Sequence, residues 1–208
     1  MALRLTKVTQ IRCAGHPLVR ILTSVIGEDF PAVLAAAQGG SEAAFATLWR
    51  DGNHALLRYL RVAARAAAED VAAETWVQVV RGLAGFRGDE RAWRSWLFTI
   101  ARHRAIDEAR RRSRHPATPL DELPHGSEPR TGDAAAAAMA NLATDALIEA
   151  IGQLPPAQAE VILLRVLADL DNETVARIVG RSPGAVRIAA HRGLHTLARA
   201  IAPTGVTQ

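Results

Sequence analysis

Between residue 29 and about residue 64, apolar side chains return every three or four positions, at Phe45, Leu48, Trp49, Leu56, Leu57 and Leu60. That spacing is the period of an amphipathic helix, and Gly52 is the expected break within it. A second helix is predicted over about 69–83. Val71, Thr75, Val79 and Leu83 share one side, Glu74 and Gln78 another, and Glu69 and Asp70 suit the positive end of the helix dipole. Gly85, Gly88 and Asp89 interrupt the pattern before a third helix, about 90–112.

The periodicity then stops. Residues 113–144 contain Pro116, Pro119, Pro124 and Pro129 with Gly126 and Gly132, and form no apolar stripe before the alanines that follow Asp133. This composition predicts a flexible linker. About 32 residues of coil would hold its ends roughly 30 Å apart on average, and roughly 105 Å apart at full stretch. Helical character resumes near Asp145 with Leu147, Ile148 and Ile151, closed by Gly152. Leu154-Pro155-Pro156 restarts the chain into a strongly apolar run, 157–168. Asp171 is placed to cap a short helix, 172–179, that Gly180 ends. Ser182-Pro183 opens a final helix, about 183–201.

The expected fold class is therefore all-α. Two small helical domains, 29–112 with three to four helices and 145–203 with a helix-turn-helix, are joined by the linker 113–144. Residues 1–28 precede them as a basic arm expected to be disordered, with Arg4, Lys7, Arg12 and Arg20 and no acid before Glu28.

Composition narrows the class. Nine aromatics and 15 glycines argue against a sheet sandwich or barrel, and 49% apolar residues suffice for packed cores. The single cysteine, Cys13, excludes an internal disulfide framework and a multi-cysteine zinc site, and fits a reducing cytoplasm. No apolar run is long enough to span a bilayer. Charge is more telling in its distribution than in its total of +4, because 24 of the 25 basic residues are arginine. Nine arginines lie between Arg87 and Arg114, and five more follow Thr174 with no acid among them. Arginine offers a planar fork to phosphates and guanine edges, so two separate basic segments point to two nucleic-acid contacts; solvated basic faces are the plainer alternative.

The segment 171–201 has the layout of a helix-turn-helix: short helix, three-residue turn Gly180-Arg181-Ser182, longer helix. On the last helix Val186, Ala190, Leu194 and Leu197 keep core spacing, whereas Arg187, His191 and His195 fall on another face. Arg181, Arg187, Ile188 and Arg192 gather at its first turns, where a recognition helix meets base edges. The helix 90–112 carries Trp93, Trp96, Leu97, Phe98 and Ile100 over more than one face, with Arg94, Phe98 and Arg102 on one stripe. Its aromatics suit a core or a platform for unstacked bases, and its arginines suit phosphates.

These blocks resemble the bacterial sigma factors of the extracytoplasmic-function type. Glu69-Asp70-Val71-Ala72-Ala73-Glu74-Thr75-Trp76 is similar to that family's core-polymerase-binding helix. The stretch from Trp96 to Arg111 resembles its promoter-melting and minus-ten segment. Leu154-Pro155-Pro156-Ala157-Gln158, Glu173-Thr174-Val175-Ala176, Ser182-Pro183-Gly184-Ala185-Val186-Arg187 and His191-Arg192 resemble its minus-35-binding domain.

The resemblance implies a sigma region 2 at 29–112 and a sigma region 4 at 145–203. It implies polymerase contacts at Glu69, Asp70, Val71, Glu74, Thr75 and Trp76, and minus-ten contacts at Arg91, Arg94, Phe98, Arg102, His103, Arg110, Arg111 and Arg112. Minus-35 contacts fall at Arg177, Arg181, Ser182, Gly184, Ala185, Arg187, Ile188, His191 and Arg192. Core RNA polymerase, through its clamp and flap regions, promoter DNA and an anti-sigma factor are the implied partners. Some positions depart from the family: His103 stands where asparagine is usual, Thr174 replaces a usual glutamate, Ala185 a usual threonine, and Ala189 and Ala190 stand where larger residues are common.

A stand-alone helix-turn-helix regulator is the alternative, and the Trp-rich basic helix argues against it. An enzyme is not expected. The seven histidines are scattered, His191 and His195 lack a third metal ligand nearby in sequence, and no cofactor or metal is implied.

Overall fold

A single 3-10 turn, Gly27–Asp29, leads into α1 (Phe30–Gln38), which buries Phe30, Leu34 and Ala37. The computed structural model describes residues 26–114 and 144–201, and every element among them is helical. The expectations for the arm up to residue 25 and for the linker over 115–143 lie outside the described residues.

The stretch read as one helix with a break at Gly52 is two helices broken elsewhere. Gly40, at φ +93, turns the chain after α1, and Ser41 caps α2 (Glu42–Ala63) by accepting the Ala44 N–H at 3.3 Å. Gly52 lies inside α2 and turns nothing. A Cβ there would stand 2.8 Å from Leu97 Cδ2 and 3.3 Å from the Trp76 ring, so its smallness serves close helix packing.

A 3-10 turn, Arg65–Ala67, connects α2 to α3 (Ala68–Leu83). Val71, Thr75, Val79 and Leu83 are all buried, as their spacing requires. Asp89 caps α4 (Glu90–Arg114) by accepting the Ala92 N–H at 2.8 Å. Around Trp93 the aromatic rings interlock: Phe30 at 6.4 Å, Phe86 edge-on at 5.6 Å and Trp96 at 5.5 Å between centroids.

The second module begins with α5, residues 144–152, followed by α6 (Pro156–Leu167), α7 (Asn172–Val179) and α8 (Pro183–Ile201). Gly193 of α8 lets α6 approach, since a Cβ there would lie 2.5 Å from Ile162 Cδ1. Four consecutive residues of α6, Val161 to Leu164, are buried. A helix apolar on all sides needs neighbours on all sides. The first module supplies them: α2 packs on α6, α4 touches α7, and Val62 lies against Gly152. The buried residues of both modules form one continuous core.

Candidate nucleic-acid interface

The helix-turn-helix is built by local hydrogen bonds that its sequence dictates. Asp171 Oδ1 accepts the Thr174 N–H at 2.8 Å and starts α7. Gly180 adopts the left-handed conformation at φ +68, and the N–H groups of Gly180 and Arg181 both donate to the Ala176 carbonyl, which ends it. Ser182 Oγ accepts the Ala185 N–H at 3.2 Å and starts α8. Val186, Ala190 and Leu197 are buried against α6 and α7.

The opposite face of α8 is thereby presented outward. Arg187, His191, Arg192 and His195 are exposed, as is Arg181 in the turn, and Ile188 is 56% exposed. No ion pair engages Arg181, Arg187 or Arg192 among the described residues. Arg177 is held along α7 by donating to Thr174 Oγ1 at 3.0 Å. Thr174 is buried, so at this departure from the family the side chain orients an arginine rather than facing outward. Ala190 is buried as well and is unavailable to DNA.

On α4 every one of the predicted minus-ten arginines meets a carboxylate. Arg94 pairs with Glu90 one turn away, and the same carboxylate accepts the backbone N–H groups of Ile26 and Gly27 at 3.1 and 3.0 Å. Arg110 lies 3.7 Å from Asp107, and Arg111 and Arg112 reach Glu108 at 2.7 and 3.4 Å. The hydrogen bond from Arg111 holds the Glu108 carboxyl below the usual carboxylate range, and the same contact pushes the Arg111 guanidinium up. Arg102 bonds Glu160 of α6 at 2.8 Å, and Arg91 bonds Asp171 at 3.1 Å, so the last two are answered from the second module. His103 is exposed.

Burial corrects several site expectations. Phe98 is 1% exposed, packed edge-on against Tyr59 at 5.5 Å, and offers no face to an unstacked base. Trp93 is likewise core. Trp96 is partly buried, stacked on Phe86 at 5.0 Å and 26° and lying over Gly82.

On α3, Val71 and Thr75 face the core, and Trp76 is buried with its Nε1 donating to Asn53 Oδ1 at 2.9 Å and its ring edge-on to Phe45. The surface α3 does present carries Glu69, Asp70, Ala73, Glu74, Val77 and Val80, with the last two 50% and 55% exposed. Sequence reasoning passed over Val77 and Val80. Val77 stands about 180° and Val80 about 120° from the middle of the buried stripe, and a helical projection of α3 would have shown an apolar strip bordered by acids. It also passed over Gln38, whose Nε2 donates to the carbonyls of Leu83 and Phe86 at 2.9 Å each and pins the loop before α4. No sequence signal marks that long-range contact.

Two families match the chain in the order of its modules: Sigma-70 region 2 over residues 47–115 and Sigma-70, region 4 over residues 144–197. Together they span more than half of its 208 residues. The chain belongs to the extracytoplasmic-function sigma factors. Among curated relatives it is 32% identical to the ECF RNA polymerase sigma factor BldN of Streptomyces coelicolor, over 78% of this chain and 62% of that one. It therefore spans less than two thirds of that relative's length. It is 37% identical to ShbA of Streptomyces griseus over 67% of this chain and 73% of that one, and 31% identical to SigD of Mycobacterium tuberculosis over 86% and 87%.

In fold, this sigma factor is similar to CnrH, solved in complex with the cytosolic domain of CnrY, at a TM-score of 0.55 and 22% identity over 86% of this chain and all of that one. It is also similar to the sigma factor RpoE of Bartonella quintana, solved with the anti-sigma factor NepR, at 0.53 and 17% over 86% and 97%. Among the described residues, no helix is long and apolar enough to cross a membrane, and no cluster of metal-ligating side chains occurs.

Proposed function

We propose that this sigma factor joins core RNA polymerase through the exposed face of α3, holds the opened minus-ten strand on α4 and reads the minus-35 duplex with α8. The observation that carries the assignment is the pairing of two arginine-rich helices, one on each module, with an outward α8 face that no acid neutralises among the described residues.

At the polymerase, the acids Glu69, Asp70 and Glu74 would give register and steering against basic groups of the clamp, and Ala73, Val77 and Val80 would supply the apolar contact. Val71, Thr75 and Trp76 hold that face in shape from beneath. At the minus-ten element, Arg91, Arg94, Arg102, His103 and Arg110 to Arg112 are the phosphate and strand contacts. Losing a stacked base-pair step costs on average about 1.4 kcal/mol. Captured strand offsets a few such steps, so melting needs no bond-making by this chain, and the polymerase supplies the chemistry. Phe98 supports that helix from the core.

At the minus-35 element, Arg177, Arg181, Ser182 and Arg192 set position on phosphates. Arg187 and Ile188 face bases, with Gly184 and Ala185 allowing close approach and His191 at the edge. An anti-sigma factor is a further partner, a proposal supported by the two solved relatives in fold, each held by a protein partner. The polymerase places the activity in the cytoplasm.

Run-off transcription with purified core polymerase on genomic templates tests the assignment. RNA starting at a discrete set of positions that core alone does not use is expected. Operator binding without any change in start sites would favour the stand-alone regulator. Arg181→Ala should lower the salt slope of minus-35 duplex binding by about one unit, and an unchanged slope removes Arg181 from the phosphate contacts.

A further inference from the structure

Among the described residues four large apolar side chains are exposed, Trp49, Val77, Val80 and Ile188, and Ile188 on α8 is the most exposed of them at 56%. Polar and cationic groups surround it: Arg187 beside it, His191 and Arg192 one turn on, Arg181 and Ser182 at the start of the helix, all exposed. The positions next to it are otherwise short, with Gly184 and Ala185 in the turn before and Ala189 after, so the isoleucine stands clear of the helix. The Arg187 guanidinium runs back toward the helix start: a Cβ at Gly184 would lie 4.0 Å from its Nη2 and 4.0 Å from Ser182 Oγ. A polar reader and an apolar one thus occupy adjacent positions of one face.

The two can recognise only different things. A guanidinium fork matches the O6 and N7 of guanine, whereas isoleucine has nothing to donate or accept. Set against N7, O6, N6 or N4 of a base edge, it strips water from a polar atom and returns no hydrogen bond. The apolar group that the major groove does display is the 5-methyl of thymine, and contact with it removes two apolar surfaces from water.

We propose that Ile188 is a specificity-determining residue that reads a 5-methyl group in the major groove, so that the minus-35 element carries a thymine next to the base that Arg187 engages. The inference rests on the proposed role of α8 and adds the chemistry of one base position. It has a corollary. Uracil and cytosine lack that methyl and are disfavoured at the position, while 5-methylcytosine restores it, so methylation of a cytosine there strengthens binding. Burying one methyl group corresponds to about fourfold in affinity.

The test uses holoenzyme assembled from core polymerase and the full chain. A promoter pool randomised over the minus-35 element gives the preferred sequence, and each thymine of that element, on either strand, is then exchanged singly for uracil. Competition binding of the promoter duplexes is read. One exchange is expected to weaken binding about fourfold and the others to have little effect. At that same position 5-methylcytosine should bind about fourfold better than cytosine. Ile188→Ala should abolish both methyl effects, and Ile188→Val, which keeps a branched apolar side chain, should retain most of them. Uracil exchange that is silent at every position overturns the methyl reading, as does a preferred element without an A·T pair. A methyl effect undiminished in Ile188→Ala overturns it too. The uracil series needs only the parent chain, so a fault in the fold of a variant cannot hide a negative result. A pool that yields no preferred minus-35 sequence overturns the assignment of α8 itself, whereas a preferred sequence indifferent to the thymine methyl overturns the role of Ile188 alone.

Discussion

Helices α4 and α8 are both rich in arginine, yet their surroundings treat the charge in opposite ways. On α8 the basic groups point outward, and the sequence places no acid after Glu173 to meet them. On α4 acids are interleaved along the helix itself at Glu90, Asp107 and Glu108, and the second module adds Glu160 and Asp171. A face that binds intact duplex gains from a standing field, which attracts DNA before any contact forms. A face that receives a strand only after melting has no use for a field acting before the duplex opens. Under the proposed function, the arginines mark where nucleic acid binds, and their partners mark when.

The largest effect should come from treating the aromatic of α4 as structure. Phe98→Ala is expected to lower stability by about 3–5 kcal/mol, read by denaturant unfolding, because it empties a core position against Tyr59. A variant of full stability with weakened strand binding would instead return Phe98 to the contact face. On α8 the expectation is reversed. Arg187→Ala should leave unfolding unchanged and cost about 1–3 kcal/mol of discrimination among minus-35 duplexes differing at one base pair. Equal loss on every duplex would make it a phosphate contact.

Asp171 belongs to both regions, as cap of α7 and partner of Arg91. Asp171→Ala should cost about 1 kcal/mol of stability and Asp171→Asn only a few tenths, measured by thermal unfolding at neutral pH. The Thr174 N–H, with Arg91 as a smaller cause, holds the Asp171 carboxyl below its ordinary range. Its stabilisation is therefore complete above the unfolded carboxylate pKa and is lost as pH falls through the lower folded value.

Asp169, at φ +49 in the preceding loop, runs the other way and gives the smallest effect. Burial pushes its carboxyl up, against the pull of Arg94 and Arg91. Folding there is penalised above the raised pKa and the penalty disappears below the unfolded one. Asp169→Asn, which tolerates the left-handed backbone, should raise the melting temperature slightly at pH 7 and leave it unchanged near pH 3. A fall at pH 7 would mean the arginines outweigh burial.

Most of the helix-turn-helix was legible in the chain, since its determinants are neighbours in sequence: Asp171 and Thr174, Gly180 and Ala176, Ser182 and Ala185. The stripe of α3 was legible for the same reason. The break in the first helical stretch was misplaced because a lone glycine reads the same whether it turns the chain or admits a neighbour. Gly39-Gly40 turned it, while Gly52 received Leu97 and Trp76 from helices that lie far along the chain. The site was half legible. Residue types named both arginine faces, but whether Phe98, Trp76, Val71 and Thr75 face core or partner depends on which side of each helix the others cover.

Local pattern alone determined the all-helical class, the two modules, their order and the caps of α7 and α8, because hydrogen bonds within a few residues fix those features. Only the folded chain decided which aromatics are core, that Val77 and Val80 stand outward, and that Glu160 and Asp171 reach Arg102 and Arg91. Those pairings join residues 58 and 80 positions apart, and no spacing rule in a single sequence records a distance that packing creates.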